Sequence, residues 1–316
     1  MSLFALITAM LLEHYQPLFK RNKLYGGVAG YADFFRQHFN AGEYHHGQLA
    51  WLLAVLPPVL SLVVILRWMS FSHPFFFWVV STLALYLSLG FSRVSNDFDA
   101  ILQTLRRGRL GEARDLLSEW RGMSCHELNS GEIARLAVEE ALLASLQHVF
   151  GVLLWFGLFT LLGLGGGAGA MLYCLSLGVG RHWGGETGDD EIGVEKFDRY
   201  ARRMIYLLEW LPIRLTTATF AIVGNFEDTA FCWRSQAATW PDSEKGILLA
   251  GAAGALGVRL GSPLVQDGEV WHRPELGTGQ QADAGTMLDA SRLIWRTTIV
   301  WLFVLLLLTL GGLLRY

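Results

Sequence analysis

Residues 49–68 read LAWLLAVLPPVLSLVVILRW, with one charge, Arg67, at the far edge. A helix that crosses a bilayer needs about 20 predominantly apolar residues, and it must satisfy its own backbone where no water reaches. The run therefore reads as a membrane span. Pro57 and Pro58 do not disqualify it, since neighbouring groups can take up the carbonyls that prolines free. His73 and Pro74 mark a turn. Residues 75–91, FFFWVVSTLALYLSLGF, then run back, with Phe75, Phe76, Phe77 and Trp78 as an aromatic belt at one end. Together the two runs predict a transmembrane hairpin.

The composition of the whole 316-residue chain agrees. Hydrophobic residues make up 52% and charged residues 17%, against about 25% charge in soluble domains. The formal net charge of −3 and the lack of a basic arm exclude a nucleic-acid binder. Cys125, Cys174 and Cys232 lie far apart without a C-x-x-C spacing, which predicts neither a disulfide framework nor a zinc site.

Outward from the hairpin, Leu3–Leu12 is a short apolar run without the basic flank and cleavage site of a signal peptide. It predicts a short span or an interfacial helix. Residues 92–148 change character. Phe98–Leu105 and Leu110–Trp120 have helical periodicity, with Arg107-Gly108-Arg109 as the turn between them. Asn129 and Glu132 form a capping-box signature for a helix that flows into Val149–Leu164. The run Gly165–Ala170 follows, then Met171–Val179. These glycines either break the stretch or let helices pack closely; they lack the Gly-Lys-Ser/Thr ending of a phosphate loop. Residues 181–203 are polar and mixed in charge, including Asp189, Asp190, Glu191 and Glu195. Residues 246–261 are apolar but too short to span, 262–290 read as an irregular loop, and Thr298–Leu314 reads as a final span.

The predicted fold class is all-α: a polytopic helical integral membrane protein with a cytoplasmic helical insert. Its segments are 1–91, the short apolar helix and hairpin; 92–148, the insert; and 149–316, the C-terminal membrane region. Lys20, Arg21, Lys23 and Arg36 precede the hairpin, and Arg93, Arg106, Arg107, Arg109, Arg114, Arg121 and Arg135 follow it. The positive-inside rule then places the tip outside and the insert in the cytoplasm.

Two places suggest a site. Glu209-Trp210-Leu211-Pro212-Ile213-Arg214 puts an acid and an arginine into an apolar helix, where charge costs about 2.5–3.5 kcal/mol on insertion scales. Arg214 is expected to face the interior and to meet Glu209, another acid, or a polar pocket near the second place, Gly254–Pro263; the alternative is an interfacial helix whose Arg214 snorkels to headgroups. In that second segment Gly257, Arg259 and Gly261 are the candidates, because glycine lets a backbone approach a ligand closely. Plain packing is its competing reading. His14, His38, His45, His46 and Glu43 read as a polar segment rather than a metal site, since adjacent histidines on a helix cannot both face one ion.

These residues resemble the CobD/CbiB family of cobalamin biosynthesis, the adenosylcobinamide-phosphate synthases, and its relative AmpE, an inner-membrane protein linked to β-lactamase induction. The family resemblance is carried by Leu105–Leu117, by Glu132–Glu139, by Pro212–Thr216 (the family's Pro-x-Arg-Leu-Thr), and by Gly254–Pro263 with Gly268, Pro274 and Gly277. Met1–Glu13 and Glu209–Leu215 continuing through Phe220–Phe226 are similar to the AmpE branch, so the chain resembles an intermediate of the two. The resemblance implies a bacterial inner-membrane, multi-pass protein with the lipid bilayer and a corrinoid or other small anionic ligand as partners. It further implies amide coupling of an aminoalcohol phosphate to a corrinoid. Leu143, Ala144 and Gln147, then Leu177–Gly180, then Ile205 and Tyr206 stand where the family carries acidic and asparagine motifs that hold metal and activated acid. Apolar side chains cannot coordinate magnesium or stabilise a transferring phosphoryl group. Two hypotheses follow: the family's enzyme, or an AmpE-like non-catalytic sensor that binds a small anionic ligand at Arg214.

Overall fold

A computed structural model describes residues 2–15, 21–40, 43–184, 196–266 and 269–313. Helices dominate it: α1 (Ser2–Tyr15), α2 (Arg21–Phe39), α3 (Tyr44–Ser72), α4 (Pro74–Ser88), α5 (Phe91–Arg106), α6 (Leu110–Arg121) and α7 (Ser130–Ser145). A π-helical turn, Leu146–Phe150, leads on to α8 (Gly151–Leu161). Then come α9 (Gly166–Gly184), α10 (Asp198–Val223), α11 (Phe226–Gln236) and α12 (Ser243–Leu256). Five short strands precede the last helix: β1 (Val258–Gly261), β2 (Leu264–Gln266), β3 (Glu269–Trp271), β4 (Glu275–Leu276) and β5 (Gln280–Gln281), followed by α13 (Ala284–Leu313). Among the described residues, three stretches are helical, long and apolar enough to cross a membrane: 44–72, 130–161 and 284–309.

Most elements fall where the hydrophobic pattern places them. α3 and α4 form the two apolar helices read on either side of His73, although α4, at 15 residues, is not among those three stretches; α5 and α6 meet at Gly108 with its positive φ of 71°, and the box at Asn129 is complete. Its side chain accepts from the Glu132 amide at 2.9 Å, while the Glu132 carboxylate accepts from the Asn129 amide at 2.8 Å. The glycine run does both things expected of it. Gly163 and Gly165 take positive φ and turn the chain. A Cβ on Gly167 would press on Ala84 at 3.0 Å, and one on Gly169 on the Phe159 ring at 2.8 Å.

The stretch read as an irregular loop needs correcting. Residues 262–290 hold four of the strands and the start of α13, which begins at Ala284 rather than Thr298. The cause is a local cap. Asp283 accepts from the Thr286 amide at 2.7 Å and from its hydroxyl at 2.9 Å, which satisfies donors that a helix start leaves free. β1 is the centre of a three-stranded sheet in the order β4-β1-β5, antiparallel to β4 (Leu260↔Leu276) and parallel to β5 (Val258↔Gln280); β2 and β3 form a separate antiparallel pair. Gly268 and the acidic residues 189–191 and 195 lie outside the described residues.

The chain divides into two compact units. The first comprises 1–90, 151–210 and 303–316, and the second 91–150 and 211–302. The first has a core of Trp51, Val55, Val59, Trp183, Phe197 and Ala201. Pro58 and Pro212 show how prolines survive inside helices. Pro58 cannot donate to the Ala54 carbonyl, and the Tyr31 hydroxyl does so instead at 2.9 Å. Pro212 likewise frees the Leu208 carbonyl, and Trp155 Nε1 donates to it at 3.1 Å. An aromatic N–H or O–H thus replaces the helical bond lost at Pro58 and at Pro212.

Candidate functional site

The second unit carries its charge inside. Glu139 lies on α7 and is buried. Its Oε1 accepts from the Gly261 amide at 2.7 Å, and its Oε2 accepts from the Arg273 guanidinium. Gly261 reaches the carboxylate with its backbone because φ is +74°; a side chain there would also strike the Pro274 carbonyl. Ser262 follows at φ 71°, the one non-glycine residue with positive φ among those described. Such strain collects at functional sites. Arg273 lies over the Trp240 ring, 4.9 Å from its centroid. One helical turn before Glu139, Arg135 points into the same surroundings, with Glu139, Arg273, Glu132 and Glu275 as its charged neighbours. Its Nε and Nη2 atoms are buried and meet no hydrogen-bond acceptor among the described residues.

Arg214 faces the interior and meets an acid other than Glu209. It forks Glu244, Nη1 to Oε2 at 2.5 Å and Nη2 to Oε1 at 3.0 Å. Glu244 sits in the first turn of α12, whose N-cap Asp242 accepts from the amides of Glu244 and Lys245. Two carboxylates at a helix N-terminus complement its dipole, and Arg214 ties that end to α10. Gly254 lies ten residues further along α12, about 15 Å at helical rise. Arg214 and the glycine-rich segment therefore have separate partners. Thr216 follows on α10, with its hydroxyl buried and no acceptor among the described residues.

The other expected residues divide similarly. Gly257 is the left-handed C-cap of α12 at φ 64°. Arg259 is exposed and braces the sheet, donating to the Gly279 carbonyl at 2.8 Å and meeting Glu275 at 3.1 Å. Gly277 donates its amide to Gln236 Oε1 at 2.6 Å. Glu209 belongs to the first unit, where the Tyr173 hydroxyl donates to it at 3.5 Å. Of the five, only Gly261 joins the Glu139 cluster. Sequence reasoning missed Arg135 and Arg273 as site residues. A signal for Arg135 was available, since Arg135 and Glu139 are charges four residues apart at the head of a long apolar helix. Arg273 had none, because nothing in a sequence tells which helix its loop returns to.

A shallow pocket opens between α5, α7 and α13, lined by Phe91, Phe98, Ser145, Ser291 and Trp295 among others. Leu177, Gly178, Val179 and Gly180 offer no ligand side chain, and Leu177 and Val179 are buried in apolar packing. Among the described residues no three His, Cys, Asp or Glu side chains converge to hold an ion.

Comparison with known proteins agrees along nearly the whole chain. The family described as CobD/Cbib protein matches residues 3–294. A cobalamin biosynthesis protein CobD from Stutzerimonas stutzeri is 34% identical over 97% of this chain and 98% of its own length. The protein of that name from Chromobacterium violaceum is 31% identical over 71% of this chain and 68% of its own. The cobalamin biosynthesis protein CbiB of Salmonella typhimurium is 26% identical over 74% and 72%. No solved structure matches. A family match over residues 3–294, joined to a relative aligned almost end to end, establishes that this chain belongs to the CobD/CbiB family.

Proposed function

We propose that this protein works in cobalamin biosynthesis as a multi-pass protein of the bacterial inner membrane, joining an aminoalcohol phosphate to a corrinoid carboxylate. The carrying observation is the 34% identity with the Stutzerimonas CobD protein over nearly all of both chains. The geometry supports it in kind. Both substrates present oxyanions, and the second unit buries the Nε and Nη2 atoms of Arg135 and keeps Arg273 mostly shielded beside a positive-φ backbone turn. Desolvated guanidinium groups bind carboxylates and phosphates far more strongly than exposed ones. The hairpin tip near Ser70–Pro74 faces outward in this reading, and 92–148 is cytoplasmic.

Complementation tests it. A bacterium lacking its adenosylcobinamide-phosphate synthase and carrying this chain should regain growth that depends on cobalamin synthesis. An Arg273→Ala variant should not restore it. The absence of carboxylates at 143–147, 177–180 and 205–206 favours a second reading, the AmpE-like sensor without chemistry. Failure to restore growth by a correctly inserted protein that still binds a small anion would make that second reading the better account.

A further inference from the structure

We propose that the Nε–Nη2 edge of Arg135 is a carboxylate-binding fork. The inference rests on the reading above only in naming the ligand's source, the carboxylate-bearing substrate. The observation is local. The N–H bonds of Nε and Nη2 point along one edge of the guanidinium plane, spaced to match the two oxygens of a carboxylate. Both atoms are buried and neither meets an acceptor among the described residues. Glu139, one turn along α7, acts on Arg135 as a nearby charge, but its oxygens accept from Gly261 and Arg273 and neither hydrogen-bonds this edge.

Leaving such donors dry is costly, since a buried polar group without a partner destabilises a fold and a charged one does so more. Native structures keep few of them, and each calls for a cause. A ligand that completes the fork supplies one. The surrounding charges choose its kind. Glu139, Glu132 and Glu275 stand against Arg135, Arg273 and Arg259, which pairs with Glu275. The neighbourhood is balanced, so a monoanion is accommodated more easily than a phosphate dianion. The planar carboxylate is the species that fits both the edge and the charge.

The full-length protein in dodecyl maltoside, which carries no phosphate, serves as the test. Propionate and inorganic phosphate are titrated at matched ionic strength, with binding read by saturation-transfer NMR and by the shift in thermal midpoint. Propionate should bind and stabilise. Arg135→Lys should weaken it by about tenfold, since lysine keeps the charge and loses the fork, and Arg135→Gln should abolish it. Without ligand, Arg135→Gln should be at least as stable as the parent, because it deletes a dehydrated cation. Undiminished propionate binding in Arg135→Gln would overturn the proposal, as would stronger binding of phosphate. A marked loss of ligand-free stability in Arg135→Gln would also overturn it, by making Arg135 a structural residue. If propionate binds as described while complementation fails, the fork stands and the cobalamin reading falls.

Discussion

Replacing Trp155 by phenylalanine should expose how this chain carries Pro212 inside a helix. The Leu208 carbonyl has lost its helical donor to the proline ring and takes the Trp155 indole N–H at 3.1 Å instead. Leu208 is buried, so the variant leaves a buried acceptor empty, at a cost of about 1–3 kcal/mol. The smaller ring also loses packing, which for a large-to-smaller aromatic change adds on the order of 1 kcal/mol. A double-mutant cycle separates the two. Pro212→Ala restores an amide N–H four residues after Leu208, so in that background the carbonyl is satisfied by its own helix. Trp155→Phe should then cost only the packing part. The coupling between the two substitutions should be at least about 1 kcal/mol. Equilibrium unfolding in mixed micelles, followed by circular dichroism, measures it. Equal costs of Trp155→Phe in both backgrounds would refute the substitution of an indole donor for the missing helical bond.

Three further outcomes are expected. Glu139→Gln should destabilise the second unit by about 3–5 kcal/mol, since it leaves the partly buried Arg273 without its counter-charge; Arg273→Lys should cost less because it keeps a charge over Trp240, and denaturant midpoints would rank them. The Thr286 amide and hydroxyl hold the Asp283 carboxyl below its usual range; a depressed folded pKa means that the cap contributes fully above the unfolded value of about 4 and is lost as pH falls through the folded one, so stability should decline with acid below about pH 4 and Asp283→Asn should flatten that decline. For topology, a cysteine placed at Ser72 should react with a membrane-impermeant maleimide on intact cells, whereas one at Arg106 should react only after lysis; external labelling at 106 would reverse the orientation.

Much of the fold was legible because it is written locally. Periodicity gives α5 and α6, the Asn129–Glu132 box gives the start of α7, and apolar length gives α3 and the hairpin. α13 was read fourteen residues short, since its first turns carry Asp289, Arg292 and Arg296 and look like loop by hydropathy alone. The Asp283–Thr286 cap was the overlooked local sign. The strands around Gly261 were not legible, because two- to four-residue strands have no period and owe their existence to pairing across some twenty residues. The site was half legible for the same reason. Arg214 announced itself as a charge in an apolar helix, and its need for an acid followed. That the acid is Glu244, thirty residues on, depends on how α10 and α12 pack. Within the glycine-rich segment read as a place of close ligand approach, Gly254 serves packing instead, lying against the backbone of Asp228 and Thr229 on α11, and Gly257 caps α12.

The length of α13 sets its relation to lipid thickness. Thirty residues rise about 45 Å, while a hydrocarbon core is about 30 Å thick. Tilt alone would have to reach nearly 50° to hide the excess, beyond the range of roughly 0–40° seen for such helices. With α13 as a span, its first third would stand clear of the hydrocarbon, and the Arg292–Asp289 pair at 2.9 Å suits that stretch to water. A bilayer that thickens or thins by a few ångströms can shift its boundary along this polar shank. Hydrophobic mismatch would then be absorbed there before it reached the Asp283 cap or the buried side chains of Met287 and Ala290.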